Sequence, residues 1–241
     1  MAALAASERL LLPESRAASC KAIAFDAFTI LDPRPIAAMA EQFFPGRGAV
    51  LMDLWRARQF EYTWLRTLTR TYADFSQVTE EALIYAAKAL SLDLGGNRRQ
   101  RLLEGFWEFR AWPDAAAALR QLKMSGIRLA LLSNLTERML RAAGRSSGLA
   151  DVFEAYLSTD SVRAFKPHPS AYEMGEHELG LDRREIVFAA FAGWDVAGAK
   201  AFGYRTFWVN RMNLPQEELG FSPDATGKDL NDLGRFVVGD A

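Results

Sequence analysis

Between Ile127 and Val209 the chain alternates short apolar runs with stretches at helical spacing. The apolar runs are Ile127–Leu132, Ala155–Ser158, Ile186–Ala190 and Arg205–Val209. Between them a helix starts at Thr136, a second covers Pro169–Leu179, and a third covers Asp195–Phe202 until Gly203 stops it. Strands joined through helices cannot pair as hairpins, because each connection has to cross a face of the sheet; they therefore run parallel. Asp114–Met124 reads as one more helix, closed by Gly126. Far upstream, Lys21-Ala22-Ile23-Ala24-Phe25-Asp26 is another buried run, ending in a carboxylate. The expected fold is a doubly wound parallel α/β sheet with a Rossmann-like core.

After Asp26 the rhythm changes. Pro33 and Pro35 break the chain, and helical spacing then continues through roughly Pro35–Phe44, Ala49–Thr71, Thr79–Ser91 and Asn97–Phe109. In the second stretch Leu51, Leu54, Trp55, Tyr62, Leu65 and Leu68 keep one apolar face. Thr79 followed by Glu80 and Glu81 has the chemistry of a helix start. Pro45-Gly46-Arg47-Gly48 and Gly95-Gly96-Asn97 punctuate the set. This predicts a helical cap domain over residues 34–109, inserted into a core domain formed by residues 20–33 and 110–241. Residues 1–19 form an N-terminal arm, and the polar tail after Met212 carries a weak final helix.

Composition removes several classes of function. Of the 241 residues 50% are hydrophobic and 24% charged, and the formal net charge is -1. With charges balanced and no long basic stretch, neither nucleic acid nor an anionic membrane surface is an expected partner. A lone Cys20 excludes an internal disulfide framework and any multi-cysteine metal site. His168 and His177, the two histidines, give little material for a zinc centre and read as surface residues. No apolar run approaches the ~20 residues that a bilayer demands. The alanine- and leucine-rich stretch Met1–Ser19 is interrupted by charges and has no basic segment ahead of it. That favours a cytoplasmic protein, with a periplasmic one as the alternative if the arm is a trimmed export signal.

In a parallel sheet all carboxyl ends lie on one edge, so the residues just past each strand converge. Here they are Asp26, Ser133-Asn134, Lys166 in the loop after the third strand, and Asp195 opening the helix after the fourth. Taken singly, each has an ordinary explanation: a turn-capping aspartate, a solvated lysine, a helix N-cap. Taken in order at four strand ends, they supply a nucleophile, hydroxyl and amide donors, a cation and a second carboxylate. Two places beyond Asp26 stands Phe28, so no second acid accompanies the first. Such a carboxylate suits nucleophilic attack better than phosphate-ester chemistry, which needs an acid for its leaving group.

Phe25-Asp26, Ser133-Asn134, Phe165-Lys166-Pro167 and Trp194-Asp195, in that order, resemble the marks of the haloacid dehalogenase superfamily. More narrowly, Phe44-Pro45-Gly46-Arg47-Gly48, Trp55-Arg56, Phe60 to Arg66, Phe165 to Pro169 and Trp194 to Lys200 resemble the (S)-2-haloacid dehalogenases of type II. The likeness runs from about Lys21 to Arg211. It implies a metal-independent hydrolase of small 2-haloalkanoic acids, with a small anionic substrate and no cofactor. By matched position, Asp26 would displace the halide and form an ester, and Arg56 would bind the leaving halide or the substrate carboxylate. Ser133, with Asn134 and the nearby backbone, would hold that carboxylate. Lys166 would balance Asp26, Tyr172 would support Lys166, and Asp195 would help water attack the ester. Phe28, Phe60, Phe75 and Trp194 would form an apolar wall. By the same analogy a homodimer is open.

The physics agrees. Hydration makes a carboxylate a poor nucleophile; a dry aromatic pocket removes that shell while a fixed cation keeps the group charged. A weakly hydrated, permanently charged guanidinium suits a leaving halide.

The chain also departs from the pattern. Thr29-Ile30 replaces the usual Gly-Thr pair, with Thr29 as the nearest substitute oxygen, and Ala190 and Ala192, flanking Phe191, replace a Ser and an Asn. Loss of one preorganised donor commonly costs about 10²–10³ in rate. The alternative reading is therefore a degenerate relative that binds a small carboxylate, or a partner, without turnover. Phosphatase chemistry lacks its acid, since Phe28 stands there, and its metal carboxylate, since Phe191 stands there.

Overall fold

Strand β1 (Ala22–Phe25) occupies the middle of the molecule, and everything that matters for the site is arranged about its carboxyl end. The computed structural model describes residues 20–239, so the arm expected over 1–19 lies outside the described residues. After β1 come a single 3-10 turn, β2 (Leu31–Asp32), α1 (Arg34–Phe43), α2 (Gly48–Leu68), α3 (Phe75–Ala89), α4 (Arg98–Glu104) and β3 (Arg110–Ala111). The remainder alternates: α5 (Ala115–Met124), β4 (Arg128–Ser133), α6 (Glu137–Ser146), β5 (Ala155–Ser158), α7 (Pro169–Leu179), β6 (Ile186–Ala190), α8 (Gly193–Phe202), β7 (Arg205–Val209), β8 (Ala225–Gly227) and α9 (Leu230–Val238).

The sheet order is β5-β4-β1-β6-β7-β8, and every pairing within it is parallel. Both of its faces are covered. Ile23, Phe25, Leu129, Leu131, Val187 and Phe207 point into one apolar core, whereas Ala22, Ala24, Ala130, Leu132, Phe188 and Trp208 point into the other. Burial on both faces explains why the strands read as continuous apolar runs instead of alternating ones. The doubly wound α/β class expected from the alternation is the one observed.

Four helices stand between β2 and β3, and that short antiparallel pair, Leu31 opposite Ala111 and Asp32 opposite Arg110, closes their base. Within this helical insert α2 packs on α3 through Trp55, whose Nε1 donates to the Thr79 carbonyl at 2.9 Å, and Gln59, whose amide donates to Thr79 Oγ1 at 2.7 Å. The first position of α2 requires its glycine: a Cβ on Gly48 would lie 2.4 Å from Glu41 Cα.

Three boundaries differ from expectation. Helix α3 begins one turn before Thr79, because Asp74 caps it by accepting from Gln77 N at 2.9 Å; Thr79 lies inside, with its hydroxyl bonded to the Phe75 carbonyl. Helix α4 ends at Glu104 instead of Phe109, whose side chain turns inward against Phe28 and Phe106. The polar tail contributes an edge strand, β8, as well as α9. Both histidines are exposed, and His168 caps α7. Among the described residues, no helix is long and apolar enough to cross a membrane, and no group of three or more His, Cys, Asp or Glu could hold a metal ion.

Candidate active site

Asp26 leaves β1 in an extended conformation and caps the 3-10 turn that follows, its Oδ2 accepting from Phe28 N at 3.2 Å. Its other oxygen, Oδ1, accepts from Lys166 Nζ at 2.9 Å. Lys166, 1% exposed, also donates to Asp195 Oδ2 at 2.6 Å, and Asp195 Oδ1 accepts from the Tyr172 hydroxyl at 2.7 Å. One unbroken chain of hydrogen bonds therefore runs Asp26–Lys166–Asp195–Tyr172, drawn from four separate elements. Tyr172 was expected to support Lys166; it supports Asp195 instead, because the ammonium already spans the two carboxylates. Tyr172 is itself anchored at its backbone carbonyl, which accepts from the Tyr204 hydroxyl at 2.6 Å.

Two carboxylates share one ammonium in a dry interior, and this sets the charges. Burial alone would pull Lys166 down, yet Asp195 and Asp26 together hold it above the ordinary lysine value, so it is charged. Asp195 has the opposite problem. Burial pushes it up to about 6; Lys166 offsets part of that, and the nearby charge of Asp26 adds to it. Burial, with Asp195 alongside, raises the Tyr172 hydroxyl well above the usual phenol range, so it remains a donor.

Ser133 ends β4, the neighbour of β1, Asn134 follows it, and both are buried. Ser133 Oγ accepts from Leu135 N at 3.2 Å. The Asn134 carbonyl oxygen accepts from Lys166 N at 2.9 Å, so this residue fixes the lysine loop as well as lining the strand end. Phe28 meets Phe109 and Phe191 at centroid distances of 5.4 and 6.1 Å. Phe60, from α2, meets Trp194 at 5.0 Å, and Trp64 joins them. Phe75 is buried against Phe165. The expected aromatic wall is therefore three clusters, with Phe28 on the core side, Phe60 and Trp194 across the junction with the insert, and Phe75 against Phe165. Arg56 lies one helical turn before Phe60 on α2, exposed, with neither ion pair nor hydrogen bond to any described residue.

The substituted positions are equally informative. Ile30 is buried, and Thr29 does not take over the missing hydroxyl: its Oγ1 donates to the Asp26 carbonyl at 2.7 Å. Ala190 is fully buried at the end of β6. Ala192 occupies the N-cap of α8 in the extended cap conformation without any side-chain hydrogen bond. Ala192→Asn supplies that cap, which is worth about 1 kcal/mol, and an increase in melting temperature of roughly 2–4 °C is expected for a domain of this size. Thermal unfolding followed by circular dichroism checks it.

Two residues that sequence reasoning missed hold the loop after Asp26. Arg211 donates to the Thr29 carbonyl from Nε at 3.0 Å and pairs with Asp114 at 2.9 Å; Trp112 Nε1 donates to the Phe28 carbonyl at 3.1 Å. Nothing local marks either residue, since each acts on backbone more than eighty positions away.

Fold and site together define a doubly wound α/β enzyme with a buried carboxylate–ammonium–carboxylate cluster at the edge of its sheet. The chain belongs to the haloacid dehalogenase-like hydrolase family, whose profile matches residues 5–203. It is 41% identical over 207 residues to haloacetate dehalogenase H-2 of Moraxella sp. (strain B), covering 86% of this chain and 92% of that one. It is 40% identical over 205 residues to the (S)-2-haloacid dehalogenase of Pseudomonas sp. (strain YL), covering 85% and 88%. Among solved structures, an L-2-haloacid dehalogenase superposes with a TM-score of 0.89 at 40% identity, over 91% of this chain and 99% of the other. The L-2-haloacid dehalogenase of Xanthobacter autotrophicus with chloropropionic acid covalently bound gives 0.84 at 34% identity, over 92% and 100%.

Proposed function

We propose that the protein hydrolyses small (S)-2-haloalkanoic acids to 2-hydroxy acids through an ester on Asp26. The observation that carries this reading is the Asp26–Lys166–Asp195 cluster: a strand-end carboxylate with one oxygen tethered to a wholly buried ammonium, and with Phe28 where an acid for a leaving group would stand. The less tethered oxygen attacks the carbon bearing the halogen. A C–O bond forms, the C–X bond breaks, and halide leaves with the electron pair. Water then cleaves the ester, and the sum of both steps consumes one water and releases one halide and one proton. Arg56, exposed on α2 without an ion pair to any described residue, receives the halide or the substrate carboxylate. The covalently bound chloropropionic acid of the Xanthobacter structure supports an ester route by likeness.

A second reading has its own support. Ala190 and Ala192 lack polar groups and the Thr29 hydroxyl is committed to backbone, so none of these three positions offers a donor to orient the attacking water. A site of this kind could form the ester and stop, or bind a carboxylate without reacting. Exposure to (S)-2-chloropropionate, with chloride release and intact mass measured together, separates the outcomes. Sustained chloride release with little modified protein is expected. Stoichiometric ester without turnover selects the stalled site, and unmodified protein with no chloride selects binding.

Turnover should fall as pH is lowered through about 6, because a protonated Asp195 cannot draw a proton from water. The stability trend is opposite. Asp195 lies above its ordinary 3.8 when folded, so its contribution is complete below that value and is lost as pH rises through about 6. A pH–rate profile and melting curves on the same buffers check both signs.

A further inference from the structure

The residue immediately before the catalytic-site lysine is held by the helical insert, not by the sheet. Phe165 N donates to Thr67 Oγ1 on α2 at 3.1 Å, while the next amide, Lys166 N, donates to Asn134 Oδ1 on the core side at 2.9 Å. The Thr67 hydroxyl in turn donates to the Thr63 carbonyl at 2.8 Å, so its orientation is set. The Phe165 ring is fully buried, stacked on Tyr72 at 5.0 Å and packed on Phe75 at 6.3 Å; both partners flank or open α3. Tyr72 also donates its hydroxyl to Asp160, and the Arg163 guanidinium lies 5.1 Å above its ring. Burial and the Asp160 charge push that phenol well above its usual range, which keeps it a donor. The contacts of Thr67, Tyr72 and Phe75 all join the insert to the single segment, 160–166, that ends in Lys166.

We infer that the insert is a positioning device for Lys166: Thr67 and Tyr72 lock the loop, and the Asp26–Lys166–Asp195 cluster is in register only while the insert is docked. The catalytic consequence rests on the reaction proposed above; the docking itself does not. The physical reason is leverage. An ammonium that bridges two carboxylates at 2.9 and 2.6 Å tolerates little displacement of its backbone, and the two successive amides that fix this backbone are gripped from opposite sides. Docking of the helices over a substrate and assembly of the charge cluster then become one event.

The test uses the full chain and the variants Thr67→Val, Thr67→Ser and Tyr72→Phe. Hydrogen exchange of the 160–167 segment is read by mass spectrometry, and steady-state halide release from (S)-2-chloropropionate is read in parallel. In Thr67→Val, exchange at Phe165 and Lys166 should rise about tenfold, the factor for losing a net hydrogen bond, with β1 unchanged. Its kcat should fall roughly 10–100-fold, as expected for a small misplacement, with KM little altered. Thr67→Ser should restore both, and Tyr72→Phe should reproduce the effect in milder form and remains the deciding variant if Thr67→Val does not fold. Unchanged exchange in Thr67→Val and Tyr72→Phe overturns the docking. Higher KM at constant kcat, or a Thr67→Ser as impaired as Thr67→Val, overturns the positioning role. No halide from the wild type, with exchange responding as described, overturns the reaction instead and leaves the docking standing.

Discussion

Asp26→Asn abolishes halide release, to a level roughly 10⁴-fold or more below wild type, in line with removal of an attacking group. The amide is neutral and its nitrogen lone pair is delocalised into the carbonyl, so it does not attack carbon, no ester forms and intact mass stays constant on exposure to substrate. The same substitution should leave the fold sound. Lys166 retains Asp195 at 2.6 Å, and the asparagine carbonyl can still accept from Nζ where Asp26 does now, at 2.9 Å. The buried cluster changes from two carboxylates around one ammonium to a balanced pair. Because the Asp26 charge is among the causes that raise Asp195, its removal brings Asp195 down and the melting temperature should hold or rise. Residual halide release above a hundredth of the wild-type rate, measured by ion chromatography, would sink the assignment of Asp26 as nucleophile.

What could be read from the sequence here follows from the range of the interaction that encodes it. The parallel sheet is legible because burial on both faces writes itself locally, as runs such as Leu129–Leu132 and Ile186–Ala190, and because the intervening helices forbid hairpins. The edge strand β8 escaped, since three partly exposed residues, Ala225–Gly227, carry no such run; they are strand only because β7 offers them partners. The start of α3 was misplaced although a signal existed. Asp74 followed three residues later by Gln77 is the sequence of a capping box, and it competed with the equally plausible Thr79-Glu80-Glu81.

The site divides along the same line. Which residues lie past each strand follows from topology, and so Asp26, Ser133, Lys166 and Asp195 could be named together. Their partners could not. Tyr172 bonding to Asp195 instead of Lys166 depends on the reach of a side chain across twenty-three positions, and Arg211 gripping Thr29 on a span of 182. Thr29 illustrates the sharper failure. Its hydroxyl is adjacent in sequence to the lost threonine position, yet the 3-10 turn directs it to the Asp26 carbonyl, where it shapes the loop and does not replace the lost hydroxyl.

Lys166→Met removes the ammonium and leaves Asp26 and Asp195 facing one another in the interior, both formerly within hydrogen-bonding distance of a single nitrogen, at 2.9 and 2.6 Å. Breaking a buried ion pair from one side costs about 3–5 kcal/mol, which for a chain of this size lowers the melting temperature by on the order of 10 °C at neutral pH. Methionine fills a similar volume, so the loss reports on charge more than on a cavity. The pH dependence identifies the cause. Asp195 already stands at about 6 with the lysine present; without it the folded value moves higher, and the variant recovers stability by holding a proton on the pair. A carboxyl raised on folding contributes stability that is complete below its unfolded value and disappears as pH rises through the folded one. The deficit relative to wild type should therefore be small near pH 4, widen through pH 6 and continue to widen toward pH 8, with halide release lost across the whole range. Melting curves of both proteins at pH 4.5 and 7.5 decide it: a deficit that is equal at the two pH values, or larger at the lower one, would mean that Lys166 holds the site by packing and not by balancing two buried charges.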